Sequence, residues 1–337
     1  MRGKVLQRNG RTWTYVVDLG QKPGGGRNQK WKGGYATKRQ AEEALTKALA
    51  EFHRGDYVEP SRLTLGGFLK DQWLPAIRSS VRSGTWDSYE RIVDSAIMPR
   101  IGSHPLQGLT GATLNAFYGD LLREGRKDGR GGLAPKSVRN IHVVIRKALD
   151  DALRWSLVAR NVAVQANPPR LRGAGDSDMR TWAAEQVRTF LDGIGDHRFH
   201  PALVLAASTG MRRGEVLGLR WQDIDFSAKR LAVRNTLLSV AYKIERGTPK
   251  TARGRRSLPL DGTTLAVLRS HRARQAEERL AWGPLYEDNG LVFTREDGRP
   301  IHPDLFSKVF DQLVARSKLP RIRLHDYADL RVMPTSA

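Results

Sequence analysis

Residues 165–178 read QANPPRLRGAGDSD, with two adjacent prolines and then a Gly-Ala-Gly step. Regular structure does not run through such a stretch, because proline removes a backbone donor and glycine is the costliest residue to hold in one conformation. What lies before the break and what lies after it must each bury its own apolar surface, with 166–178 as the linker. A chain of 337 residues has room for two or three such units, since domains commonly hold ~100–200 residues.

Two patterns precede the break. Asn9-Gly10 is a hairpin turn signal, both residues tolerating positive φ. Trp13, Tyr15, Val17 and Leu19 then alternate with Thr14, Val16 and Asp18 as the two faces of a strand do. KPGGGRN (22–28) makes the next turn and QKWKGGY a third strand. Thr37 with Gln40 forms a capping-box pattern ahead of Ala41, Ala44, Leu45, Ala48, Leu49 and Phe52 at helical spacing. Residues 1–58 are therefore expected to form a three-stranded sheet with one helix. From 62 to 165 the pattern is all helix: Thr64, Thr85 and Thr110 are placed to cap, and Pro135 to open, segments whose apolar residues recur at helical spacing. Such stripes are core. Residues 179–337 mix helices (WAAEQVRTFLDGI, HPALVLAASTG, and the start of RRGEVLGLRWQDIDF) with short strands near 230–237, 241–246, 255–260 and 291–294. The predicted fold class is a multidomain chain, mostly α with small β elements.

Lys and Arg number 57 against 35 Asp and Glu, a formal charge of +22. Charge of this size speaks to partners rather than to fold, and favours a polyanion. No apolar run approaches the ~18 residues of a membrane span, so nucleic acid is preferred over a membrane surface. With no cysteine there is no disulfide, thiolate metal site or cysteine nucleophile.

Three stretches carry chemistry. In STGMRRGEVLGLRWQDID (208–225) an apolar helix ends at Thr209-Gly210 and the next begins with two arginines. An arginine at that junction can grip a phosphate with its fork, with Glu215 behind to orient it; a solvated Arg-Arg pair is the bland alternative. In TPKTARGRRSLPL (248–260), Lys250, Arg253, Arg255 and Arg256 lie between two strand-like stretches and are expected on a hairpin, where a lysine can protonate a leaving oxygen or merely be solvated. RLHDY, at 323–327, sets His325 beside an acid. The basic, glycine-rich REGRKDGRGG (123–132), with Arg126 and Lys127, is either a solvated loop or a phosphate contact.

In this order and spacing, TGMRRGEVLGLRW, TPKTARGRRSLPL and LHD together resemble the catalytic domain of tyrosine recombinases, the phage integrase family. The resemblance extends along the chain: 1–58 looks like the arm-type DNA-binding domain, 62–165 like the helical core-type domain, and 179–337 like the catalytic domain of the DNA breaking-rejoining type. It implies a site-specific recombinase acting without metal or cofactor through a 3′-phosphotyrosyl intermediate. Carried over by position, Arg212 clamps the non-bridging phosphate oxygens, Lys250 is the general acid, His325 an acid/base or phosphate ligand, and Glu215 a support. Lys30, Lys32, Arg126, Lys127, Arg253, Arg255 and Arg256 become DNA contacts. The implied partners are double-stranded attachment sites, further copies of the chain on DNA, and accessory bending or directionality factors, in the cytoplasm of a bacterial host at the nucleoid.

Two departures stand out. The family has an arginine three residues after the histidine, where this chain has Ala328; Arg331 lies three further on, an offset of ~300° and ~4.5 Å on a helix, so a bulge is required to bring it into place. Tyr327 is the only tyrosine after His325; it sits where no nucleophile of the family sits, and helix packing is its bland role, so no nucleophile is expected among these residues. The expectation is a catalytic domain incomplete at its C-terminus, with exposed apolar surface around 301–320. The alternative to a recombinase is then a DNA-binding protein that occupies attachment sites without cutting them.

Overall fold

The computed structural model describes residues 2–8, 12–21, 27–53, 58–171, 181–248 and 255–328. The turn expected at Asn9-Gly10, the glycine run of the 22–28 loop, residues 172–178 of the linker, Lys250, Arg253 and Arg331 lie outside them. The chain divides into two compact units, Met1–Arg172 and Gly173–Ala337.

The first unit opens with strands β1 (Arg2–Arg8), β2 (Thr12–Gln21) and β3 (Arg27–Tyr35), antiparallel in the order β1-β2-β3. Helix α1 (Lys38–His53) begins after Thr37, whose hydroxyl accepts the Gln40 amide at 3.2 Å. Tyr15 and Val17 of β2 and Ala48 of α1 form a small core, with Val5, Tyr35, Leu45 and Leu49 packed against it. Val16 is buried too, so β2, the central strand, is shielded on both faces.

Helices follow: α2 (Leu65–Gly67), α3 (Leu74–Ile77), α4 (Ser83–Ile92), α5 (Met98–Ile101), α6 (Gly111–Glu124) and α7 (Pro135–Arg154). A wider π turn joins α2 to α3 at Phe68–Trp73 and α4 to α5 at Val93–Ile97. Each π turn ends two residues before a proline, Pro75 and Pro99. That ring has no amide to donate and clashes with the carbonyl of the preceding turn, which an extra residue per turn relieves. Thr64 and Thr110 cap as expected, accepting the Gly67 and Thr113 amides at 3.1 Å. Thr85 does not: α4 starts two residues earlier, and the Thr85 amide is satisfied by the Arg82 carbonyl. The buried stripes meet in one core, where the Trp73 indole donates to the buried Asp151 carboxylate at 2.7 Å.

In the second unit, α8 (Ala184–Gly193) and α9 (His200–Thr209) lead into α10 (Arg213–Leu217). Strands β4 (Ile224–Asp225), β5 (Arg230–Ala232), β6 (Thr236–Val240), β7 (Lys243–Gly247) and β8 (Ser257–Pro259) precede α11 (Gly262–Trp282), α12 (Pro303–Arg316) and α13 (Leu324–Ala328). The strands form two sheets, β4-β5-β8 and β6-β7. This corrects the expected hairpin at 248–260. β7 pairs with β6, while β8 pairs with β5 through Arg230↔Pro259, Leu231↔Leu258 and Ala232↔Ser257. The residues between β7 and β8 therefore connect two sheets rather than close a hairpin. Residues 291–294 form no strand either, only isolated bridges from Leu291 to Arg220 and from Thr294 to Pro300. The exposed apolar surface expected at 301–320 is also overturned: Ile301, Phe306, Phe310, Leu313 and Val314 are buried, since α12 turns its apolar face onto Phe190, Phe199 and Tyr327.

Candidate active site

The TGMRRGE stretch becomes a sharp junction. α9 ends at Gly210, which takes a left-handed conformation at φ 67° and donates its amide to the Ala206 carbonyl; glycine adopts that conformation without a Cβ penalty. The chain then runs extended through Arg212, the residue that caps α10. Gly214 lets α10 lie against β6, for a Cβ there would stand 2.5 Å from Thr236 Oγ1 and 2.6 Å from the Leu237 carbonyl oxygen.

The two adjacent arginines have different surroundings. Arg213 Nη1 donates to Ser307 Oγ (2.7 Å), to the Pro303 carbonyl (3.1 Å) and to Asp304 Oδ1 (3.3 Å), fastening α10 to the start of α12. The Arg212 side chain is 69% exposed, and only its Nη1 leans back, 3.3 Å from Glu215 Oε1. Arg212 is thus the arginine presented outward.

Glu215 is buried and is the organiser. Its Oε2 accepts the Arg212 backbone amide at 3.0 Å, and the Arg256 guanidinium forks onto both oxygens, at 3.2 and 2.9 Å. Burial pushes this carboxyl upward, but the Arg256 fork, the Arg212 amide and the charges of both arginines outweigh it and hold it below the ordinary glutamate range. The residue types of RRGE announced an acid behind an arginine. Nothing in the sequence announced that Arg256, read as a DNA contact, would turn inward to it. Its neighbour Arg255 is exposed.

α13 packs beside α9, α10 and α12, which brings the exposed His325 to the helix that carries Arg212 on its cap. The buried Asp326 is held by Arg323, whose Nε and Nη2 donate at 2.7 and 2.9 Å; that fork keeps its carboxyl below the ordinary aspartate range. Tyr327 is fully buried among Trp182, Phe190 and Phe310. Its hydroxyl donates to the Leu203 carbonyl at 3.1 Å, and burial pushes its phenol far above the usual value. An oxygen so enclosed is unable to reach a phosphate.

In the first unit, Lys32 is exposed and Lys30 is paired with Glu59. Arg126 makes a two-pronged bond to Asp128, at 3.0 and 2.7 Å, and holds that carboxyl at about 2; Lys127 beside it is exposed. Among the described residues no cluster of three His, Cys, Asp or Glu could hold a metal, and no helix is long and apolar enough to cross a membrane.

Comparison with known proteins agrees along the chain. Residues 4–52 match an arm DNA-binding domain, 64–122 the N-terminal SAM-like domain of phage integrases, and 183–331 the phage integrase family. A XerC-like tyrosine recombinase of Caldanaerobacter subterraneus subsp. tengcongensis is 25% identical, covering 86% of this chain and 76% of the relative. The ICEBs1 integrase of Bacillus subtilis is also 25% identical, over 87% and 77%. Among solved structures, the Tn1549 transposon integrase in complex with transposon right end DNA aligns with a TM-score of 0.64 at 19% identity, over 80% of this chain and 85% of that one. A lambda integrase tetramer bound to a Holliday junction aligns with a TM-score of 0.57 at 16% identity, over 97% and 89%. The structural likeness is one of fold alone; the sequence matches to all three parts place the chain in the phage integrase family of tyrosine recombinases.

Proposed function

We propose that the protein is a site-specific DNA recombinase whose second unit grips the reacting phosphate with Arg212. The observation that carries this reading is the contrast within the arginine pair: Arg213 is spent on α12, while Arg212 projects outward with its amide and one nitrogen braced by a buried carboxylate. A fork held in place before the reaction loses little entropy when it meets a phosphate, and it stabilises charge that grows on the non-bridging oxygens. In the proposed step a tyrosine hydroxyl, not that of Tyr327, gives its proton to His325 or to solvent as its oxygen bonds to phosphorus and the bond to the 5′ oxygen breaks. The 5′ oxygen takes a proton from Lys250, and His325 can otherwise serve as a phosphate ligand. The phosphotyrosyl ester stores the bond energy until a 5′ hydroxyl attacks it in turn. Residues 1–58 and 62–165 are the arm-type and core-type DNA-binding parts in this reading, and copies of the chain assemble on double-stranded DNA.

The burial of Tyr327 favours a second reading for residues 1–337 by themselves, in which they occupy attachment sites without cutting. One experiment separates the two. The chain is incubated with nicked duplexes spanning the ends of the DNA element that carries its gene, and the products are examined under denaturing conditions. A covalent protein–DNA adduct that Arg212→Ala lowers at least tenfold supports the recombinase reading. Tight binding without an adduct supports occupancy, and absence of duplex binding at low salt would sink both.

A further inference from the structure

Arg256 is the one member of the basic run 253–256 whose described side chain faces inward, with 28% of it exposed. Its guanidinium closes on both oxygens of Glu215, whose own side chain is only 6% exposed. Its backbone carbonyl accepts the Val233 amide at 2.9 Å, which fixes the chain just ahead of β8 to the end of β5. On its other side Glu215 holds the Arg212 amide and touches the Arg212 guanidinium. A buried carboxylate thus joins two pieces of chain 41 residues apart in sequence. One piece carries the outward arginine, and the other follows directly on the segment containing Lys250.

We propose that Arg256 is a positioning residue for the strand-transfer reaction: through Glu215 it sets the direction in which Arg212 points, and it does not itself bind the DNA backbone. The inference rests on the reading of Arg212 as a phosphate grip. The physical argument is one of satisfaction. A buried carboxylate that loses its two-pronged partner is left with unmade bonds in a poor solvent, and it regains them by drawing in the nearest remaining donor. Here the nearest remaining guanidinium is that of Arg212, already 3.3 Å away. Without Arg256, Arg212 folds back onto Glu215 and is withdrawn from the phosphate. Lysine is no substitute, because a single ammonium cannot reproduce the planar fork.

The test uses the full chain with Arg256→Gln, Arg256→Lys, Arg212→Ala and the Arg256→Gln/Arg212→Ala pair, with Arg255→Gln as the control. Affinity for a duplex is measured by fluorescence anisotropy across a salt series. In parallel, the Arg212 side-chain Nε–H resonance is followed in the DNA-free protein. The expected result is that Arg256→Gln and Arg256→Lys each weaken binding about as much as Arg212→Ala, at least fivefold, and that the paired variant is no weaker than Arg212→Ala alone, the non-additivity of residues acting in series. The Arg212 resonance shifts in both Arg256 variants and stays in place in Arg255→Gln. A phosphate contact behaves otherwise: Arg256→Lys restores affinity, the losses multiply in the paired variant, and the log–log salt slope falls by about 0.9. That outcome overturns the proposal, as does an Arg212 resonance indifferent to Arg256. If the unmodified chain binds no duplex, the recombinase reading falls, and the resonance alone decides whether Arg256 directs Arg212.

Discussion

Arg213 Nη1 lies 2.7 Å from Ser307 Oγ, so the second arginine of the pair is a strut between α10 and α12. Its side chain is 38% exposed, which screens the ionic share through Asp304, while the bonds to Ser307 and the Pro303 carbonyl are half-buried. Arg213→Ala is expected to destabilise the second unit by about 1–2 kcal/mol. Thermal unfolding measures this, and a change below about 0.5 kcal/mol would remove Arg213 from the set of structural anchors.

Gly214→Ala places a methyl group against the Leu237 carbonyl oxygen, which is backbone and has no rotamer to yield. The expected cost is about 1–3 kcal/mol. Gly262→Ala, where a Cβ would meet nothing within 4 Å, serves as the control and is expected to leave the unfolding midpoint nearly unchanged. Equal behaviour of the two variants would refute the close approach of α10 to β6.

Tyr327→Phe removes one hydrogen bond to Leu203 and keeps the ring in its aromatic surroundings. A loss of about 1 kcal/mol is expected, with any adduct formation unaltered. Tyr327→Ala opens a cavity and is expected to cost about 3–5 kcal/mol. Abolition of an adduct by Tyr327→Phe, at unchanged stability, would identify this oxygen as a nucleophile after all.

Glu215 and Asp326 both have carboxyls held below their ordinary values by arginine partners acting against burial. A depressed carboxyl contributes stability that is fully present above its unfolded pKa and is lost as pH falls through the folded one. The stability gap between the parent chain and Glu215→Gln is therefore expected to be constant above about pH 5.5 and to close as pH drops below the ordinary carboxylate range of ~4. Chemical denaturation at pH 3.5, 4.5 and 7 reads the gap; one that widens on acidification reverses the assigned sign.

Local signals were the legible part of the fold. Thr64, Thr110 and Pro135 mark helix starts because capping depends on a few neighbouring residues, and Gly210 marks a helix end for the same reason. The longest helix, α11, is hidden for a physical reason: part of its buried face is polar. His271 bonds the Val292 carbonyl and Gln275 bonds Thr294, so no apolar stripe advertises it. The pairing of β8 with β5 was out of reach because strand partners are chosen by distant edges, whereas TPKTARGRRSLPL viewed alone reads as a hairpin. The site divided in the same way. Arg212, Glu215 and His325 were legible as residue types at a spacing, but the inward turn of Arg256 depends on where β5 puts it.

The β5–β8 pairing also bears on how this fold tolerates change. The register of β8 is set by Arg230, Leu231 and Ala232, and the β6–β7 ribbon is held by its own contacts, with Leu237 in the core and Gly214 against β6, so lengthening or shortening the excursion between β7 and β8 leaves that register where it was. Insertions there are absorbed without shifting the scaffold, and lineages of such a protein are free to vary the reach of this excursion while the rest of the unit keeps its shape.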